Sequence, residues 1–525
     1  MPAAPYRRLL AALALCALPL VAQAANLRVA TQGDALSMDP HSLAEAVQLS
    51  FTGNVYEPLV TRDQNLKLVP ALATEWTLRS PNVWRFALRQ GVKFHDGTPF
   101  TADDVLFSIR RAQGDGSDMR TQVASIRAVR KIDAHTIELE TSAPNPILPD
   151  LITTVYMMSE PWAKANGAER PVDRRKGLEN AASFKANGTG PYRLRERQPG
   201  VRTLLTRNPD YWGQVDGNVT EVRFEPIAND ATRVAALVSG QVDVIDPVPL
   251  QDVPRLERDK ALKVVQMPES RVIFLGFDQH RDALGQSGVK GKNPFKDVRV
   301  RQAFYQAIDV DTIVRQIMRG AAKPSGLMVA PGIRGHSAAL DKRLPFDPEA
   351  AKKLLAEAGY PQGFDITLSC PNDRYLNDAE VCQAAVAYLS RVGIKARLQA
   401  EPKAIYFPKA LKRELSFFMA GWSPAGYDAH NAIFSLLATP NDKGQGQWNL
   451  GAYSNPRIDE LTTAIQSEMN EPKRTAMMQE ALQLHQADVG HIPLFQPNLV
   501  WGVRANVSLH QRADNFMFFK WVTVK

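Results

Sequence analysis

Between residues 84 and 111 the chain changes period twice. Trp84, Phe86 and Leu88 alternate with Arg85, Ala87 and Arg89, the period of two expected of a strand with one buried face. Gln90-Gly91 breaks the run, Val92 and Phe94 alternate again, and Asp96-Gly97 has turn chemistry. This stretch predicts a β-hairpin. Thr101 then offers a hydroxyl N-cap, with Asp104 three residues on as a shortened capping box. Val105, Leu106 and Ile109 give the helix that follows its apolar face.

The same alternation of periods runs through the rest of the chain. Residues 27–30 read as a first strand and residues 44–56 as a helical region. Residues 136–139, 203–206 and 221–224 read as strands. Asn229 caps a helix with Val234, Leu237 and Val238 on its apolar face, Gly240 ends it, and residues 242–245 form the next strand. Strand, helix and strand in that order predict a parallel pair with a crossover. Residues 271–278 predict a strand that crosses into a second lobe, and residues 285–293 a loop. Val300, Ala303, Phe304, Ala307 and Ile308 share a helical face. Asp347, Pro348 and Gly359 are the cap, first turn and terminator of another helix. Residues 364–370, 378–391 and 394–398 repeat the strand–helix–strand order. Asn455-Pro456 and Glu471-Pro472 start two further helices, and residues 492–500 predict a return crossing.

At 525 residues the chain exceeds what one hydrophobic core usually holds. Apolar content of 44% and charged content of 22% are those of a globular protein. Arg7 and Arg8, the apolar run 9–21 and Ala22-Gln23-Ala24 have the order of a secretory leader. Residues 1–24 are expected to be removed, leaving a mature chain that starts at Ala25 in the periplasm. The apolar run is too short to span a bilayer, and Cys16 sits too early, after Leu15, to read as a lipoprotein site. Losing the two arginines takes the formal net charge of +8 down by two, to +6. The densest basic cluster, Arg170 with Arg174, Arg175 and Lys176, is interrupted by Glu169 and Asp173, so no nucleic-acid partner is expected. Cys370 and Cys382 then remain, an even count that suggests one disulfide in an oxidising compartment, with two buried thiols as the alternative. No histidine lies near them at ligand spacing, and no metal is expected.

Catalytic signatures are weak. Gly421-Trp422-Ser423-Pro424-Ala425 misses G-x-S-x-G at its last position. H-E-x-x-H does not occur among the nine histidines, and Gly188-Thr189-Gly190 lacks the third glycine of a dinucleotide loop. Gly285 to Gly291-Lys292 has the wrong spacing for a P-loop, and Asn293 stands where Ser or Thr is needed. Asp103-Asp104 sits at a helix start, where free amides explain it. An enzyme is not expected, nor is a cofactor.

The string from Trp84 to Val105 resembles the signature of bacterial extracellular solute-binding proteins of family 5, the peptide and nickel receptors of ABC importers. Leu36-Ser37-Met38-Asp39-Pro40, Tyr56-Glu57-Pro58-Leu59, Gly188-Thr189-Gly190-Pro191-Tyr192, residues 207–212 and residues 297–303 extend the resemblance over nearly the whole chain. It implies an α/β, two-lobe clamshell of the type II-like periplasmic binding proteins, with a small extra lobe inserted in the first. The segments are then 25–60, 186–275 and 498–525 for the first lobe, 61–185 for the insert and 276–497 for the second lobe. Interdomain clefts are favoured ligand sites, and hinge closure is the motion this architecture uses.

The resemblance places the ligand against Trp422, Ser423 and the loop that follows, against Arg374 and Tyr375 after another strand end, and between cleft walls at Ser37, Met38 and Tyr156. Phe495 and Gln496 are expected near the return hinge. Arg374 suits a ligand carboxylate, because guanidinium donates a fork of hydrogen bonds. Dipeptide and oligopeptide receptors carry an aspartate for the peptide's ammonium where this chain has Ala425, and Asp428 is the nearest acid. The expectation is a monomeric receptor that delivers a peptide or similar small polar solute to a membrane permease and ATPase. An opine-like ligand, a sugar conjugate or a metal chelate is the alternative, as is a sensory or chaperone-like binding protein without transport.

Overall fold

The computed structural model describes residues 24–442 and 444–525. The expected leader, with Cys16, lies outside the described residues except for Ala24. A sheet of twelve strands among the described residues runs through both lobes. Its second-lobe half is ordered Lys395–Glu401, Asp365–Pro371, Phe417–Trp422, Val272–Phe277, and the strand His491–Arg504 follows. Beyond that strand come Val244–Asp246, Ala25–Thr31, Val219–Pro226, Arg202–Arg207 and Tyr192–Gln198. Leu262–Pro268 and Ala322–Pro324 also pair with His491–Arg504.

His491–Arg504 is the strand on which both halves hang. Its first residues pair with Val272–Phe277, from Gly276 opposite His491 to Ile273 opposite Phe495. Its later residues pair with Leu262–Pro268, from Pro268 opposite Asn498 to Leu262 opposite Arg504. The chain therefore crosses between lobes at Glu269-Ser270-Arg271, and again near residues 496–497. Both strand–helix–strand units form, but in the first the two strands run parallel without pairing directly, because Ala25–Thr31 lies between them. Ala25–Thr31 lies parallel to both Val219–Pro226 and Val244–Asp246, and Asp365–Pro371 lies parallel to Lys395–Glu401. Asn229 caps Asp230–Val238 by accepting from the Thr232 amide at 2.9 Å. Asp347 caps Pro348–Glu357 through the Ala350 amide at 2.9 Å.

A separate four-stranded antiparallel sheet has the order Ala73–Ser80, Val83–Leu88, Thr136–Thr141, Ile126–Asp133. One expectation is corrected here. Residues 92–94 do not form the second strand of a hairpin. Gly91 and Gly97 both take positive φ, of 76° and 88°, so the chain turns twice within seven residues and keeps only an isolated bridge, Lys93 to Pro99. Val83–Leu88 pairs instead with the strands on either side of it. The capping box at Thr101 forms, and the helix Ala102–Gln113 follows. Phe86 and Ile137 of this sheet share one buried cluster with Leu27, Tyr192 and Trp501 of the first lobe. A second cluster spans the halves of the large sheet, from Leu237 and Ile245 to Phe277 and Phe304. A third, with Met328, Phe418 and Leu482, lies within the second lobe.

The resemblance motifs meet as scaffold. Buried Glu57 accepts from Thr189 Oγ1 at 2.9 Å, Tyr211 OH at 2.8 Å and Trp212 Nε1 at 2.7 Å. Asp39 is fully buried and takes both terminal nitrogens of Arg111, at 2.8 and 2.7 Å.

Candidate functional site: an interlobe cleft

The two halves of the large sheet enclose a cavity of ≈ 1810 Å³ lined from both lobes and from the crossing segments. Pockets for drug-sized ligands span about 300–1,000 Å³, so the space suits a solute of several residues. Strand ends of the second lobe supply one wall. Phe417–Trp422 is a continuous apolar run that ends at Gly421-Trp422, and Asp365–Pro371 ends just before residues 372–375.

These two ends are locked together. The Gly421 amide donates to the Tyr375 hydroxyl at 2.9 Å. A Cβ at residue 421 would lie 3.0 Å from the Tyr375 ring and 2.7 Å from Ile273 Cδ1, so glycine leaves room for the hydroxyl end of the ring to approach the strand. Asp378 Oδ2 accepts from the amides of Arg374 and Tyr375, both at 3.0 Å, and fixes the loop. The Arg374 guanidinium lies 5.1 Å from the Tyr375 ring centroid, and that of Arg271 lies 5.9 Å from it. Arg271 pairs with Glu269 at 2.7 Å. Arg374 has no carboxylate partner among the described residues. Burial opposes the charge of Arg271, but Glu269, Tyr375 and Glu45 outweigh it and raise its pKa.

Trp422 lines the cavity, with its indole donating to Asn431 Oδ1 at 3.0 Å and its ring 5.7 Å from that of Trp448. Ser423 also lines it, and its hydroxyl meets that of Ser270, in the crossing segment, at 2.9 Å. Arg374, Tyr375, Phe495 and the ring side of Tyr156 complete the expected residues that the structure brings to the cavity. The Tyr156 hydroxyl itself is turned away and donates to the Leu49 carbonyl at 2.9 Å.

The other expected residues stand elsewhere. Ser37 and Met38 are fully buried behind the wall, and Ser37 N donates to Gln48 Oε1 at 3.0 Å. The Gln496 amide donates to the Glu269 carbonyl at 2.8 Å. Ala425 opens the short turn Ala425–Tyr427. Asp428 is fully buried under that turn, where Arg474 takes both its oxygens, at 2.5 and 2.8 Å, and Arg334 reaches it at 3.2 Å. Burial raises its carboxyl, but the arginines prevail and hold it below the usual carboxylate range. It faces these cations and not the cleft. Cys370 and Cys382 are joined, with their sulfurs 1.94 Å apart.

Cleft residues that escaped the sequence reading include Glu269, Arg271 and Asp246. The first two are charged residues beside an apolar crossing strand, which is the available signal. Asp246 ends a three-residue strand. Burial pushes its carboxyl up to about 7, against the pull of the Asn515 amide at 3.2 Å and of Arg233, and Glu269 adds to the rise. Among the described residues no group of three or more His, Cys, Asp or Glu side chains is placed to hold a metal ion, and no helix is long and apolar enough to cross a membrane.

Known proteins match this arrangement. Residues 67–444 fit the family described as bacterial extracellular solute-binding proteins, family 5. The glutathione-binding protein GsiB of Salmonella typhi is 27% identical over 508 residues, covering 94% of this chain and 93% of its own. The periplasmic binding protein DppA of Helicobacter pylori, in complex with the peptide STSA, superposes with a TM-score of 0.79 at 23% identity, covering 95% of this chain and 98% of its own. AgaA from A. tumefaciens R10, in complex with agropinic acid, gives 0.78 at 21%, covering 95% and 99%. Cleft, crossing strands and sequence agree: the chain belongs to the bacterial extracellular solute-binding proteins of family 5, the periplasmic receptors that capture a solute for an ABC importer.

Proposed function

We propose that this receptor takes a short peptide or peptide-like solute that carries a carboxylate, of about the size of the tripeptide glutathione. The observation that carries the reading is Arg374, a guanidinium held over Tyr375 on the cleft wall with no carboxylate partner among the described residues. A carboxylate accepts two hydrogen bonds from that fork. The relatives named above are described with glutathione and a tetrapeptide, both of which end in a carboxylate. The receptor works as a monomer, starts at Ala25 after processing, binds no nucleic acid and releases its solute chemically unchanged to the permease and ATPase. The insert 61–185 serves as a rigid extension of the first lobe, between segments 25–60 and 186–268. The second lobe follows the Glu269-Ser270-Arg271 crossing, ahead of the expected boundary at 276, and 498–525 returns to the first.

Calorimetry with glutathione, dipeptides and tripeptides, each also as its C-terminal amide, tests this. Carboxylate forms are expected to bind. Arg374→Ala is expected to weaken them about 10- to 100-fold, since a hydrogen bond to a charged group contributes about 1.5–3 kcal/mol. Equal binding of acids and amides, or unchanged affinity in Arg374→Ala, would overturn the reading.

A further inference from the structure

The turn Ala425–Tyr427 belongs to the second lobe, and Tyr427 packs against that lobe's own core cluster. Arg62 follows Val60, which lies in the first-lobe cluster, and the Arg62 carbonyl accepts from Arg512 of the C-terminal tail at 3.1 Å. The two meet across the cleft. Arg62 Nη2 donates to the Gly426 carbonyl at 3.1 Å and to Asp150 Oδ1 at 2.6 Å. Its guanidinium lies 4.5 Å from the Tyr427 ring centroid. A carbonyl oxygen, an aromatic face and a carboxylate are the three groups that together receive a cation. The turn is shaped for this approach. Gly426 and Tyr427 both take left-handed backbone, with φ of 71° and 55°, and a tyrosine adopts that conformation only where its surroundings hold it. A Cβ at Gly426 would lie 3.5 Å from the Cβ of Asp150.

The acids at this end are already taken. Asp150 has Arg62, with Arg334 3.7 Å away, and Asp428 has Arg474 and Arg334. A solute ammonium arriving at the turn would find an arginine in its place.

We infer that Arg62 is the built-in cation of this cleft: supplied by the first lobe to the Gly426-Tyr427 turn of the second, it lets the lobes close on the chain's own contacts and removes the need for a free amine at this end of the solute. The site is a cage for a guanidinium or alkylammonium group. It explains how a receptor with Ala425 and a sequestered Asp428 can close without an acidic anchor for the solute.

Small-angle scattering on the full chain without solute tests the inference, so its failure is distinct from failure of the ligand reading above. Arg62→Ala is expected to raise the radius of gyration relative to wild type. Millimolar methylguanidinium should enter the vacated cage and restore the compact profile, whereas sodium chloride at equal ionic strength should not. Tyr427→Asn removes the ring from the opposite lobe with a residue that tolerates left-handed backbone; it should open the protein in the same way, and it serves if Arg62→Ala does not fold. An unchanged radius of gyration in the variants would overturn the inference. Opening of Arg62→Ala that methylguanidinium fails to reverse more than salt does would overturn it too, because the contact would then be structural and not a cation site.

Discussion

Asp428 shows at the scale of one residue how a carboxylate is kept away from the cleft. Its two oxygens are saturated by Arg474, its relative exposure is 0%, and nothing of it reaches the cleft. Breaking such a pair from one side leaves Asp428 buried with Arg334, 3.2 Å away, as its remaining cation. Arg474→Met is therefore expected to cost about 3–5 kcal/mol of stability, and a second change, Asp428→Asn, to recover part of it. Urea unfolding of the two variants checks this; additive losses would count against a coupled pair. Asp246 behaves in the opposite way. Its folded carboxyl titrates near 7, above the ordinary value of about 3.9. The stability it contributes is full below about 3.9 and is lost as pH rises through 7. Asp246→Asn is expected to leave the melting temperature at pH 4 unchanged and to raise stability at pH 8 by about 2 kcal/mol, partial exposure to the cleft limiting the gain. Melts of both proteins across that range give the test. A variant less stable than wild type at pH 8 would show that Asp246 is ionised at no cost.

At the scale of elements, the strand Phe417–Trp422 and the loop after Asp365–Pro371 form one unit, because the Tyr375 ring lies on Gly421. Gly421→Ala is expected to displace that ring, cost about 1–3 kcal/mol and weaken solute binding together with Arg374, which rests on the same ring. Calorimetry and thermal unfolding on one sample separate the two effects; full affinity in the variant would uncouple Tyr375 from the site. Cys370 and Cys382 tie that loop's strand to the helix Asp378–Ser390. Both elements were legible in the sequence, as were the helix caps at Thr101, Asn229, Asp347 and Asn455, because each signal is local and a cap lies within three residues of what it binds. Trp422, Ser423, Arg374 and Tyr375 were implied by the resemblance, and they line the cavity because strand ends face the cleft in this fold. Residues 92–94 were misread because alternation over three residues does not record that glycines turn the chain on both sides. Arg62 carried no signal at all. Its partner Gly426 lies 364 positions away, and no periodicity spans that distance.

The whole molecule joins its lobes by more than a flexible hinge. His491–Arg504 runs for 14 residues, about 46 Å at 3.3 Å per residue, and contributes ladder pairs to both lobes, with one register shift opposite Ile273 and Phe274. The second buried cluster includes Leu237 and Ile245 on one side of the crossing and Phe277 and Phe304 on the other. Multidomain chains often unfold in steps. Here a first lobe that melted alone would strip the pairing from half of that strand and expose one face of the shared cluster, so loss of one lobe undermines the other. The chain is expected to unfold in a single thermal transition. Glu57 provides the probe, because it lies in the first lobe, distant in sequence from every second-lobe element. Its carboxylate holds Thr189, Tyr211 and Trp212. Glu57→Ala leaves those donors without their acceptor and should cost about 3–5 kcal/mol. Under conditions where exchange proceeds through global opening, hydrogen exchange should report the same loss of protection in Phe417–Trp422 of the second lobe as in Ala25–Thr31 of the first. Two resolved calorimetric transitions, or protection of Phe417–Trp422 that Glu57→Ala leaves untouched, would mean that the lobes fold independently and that the crossing strands act only as a tether.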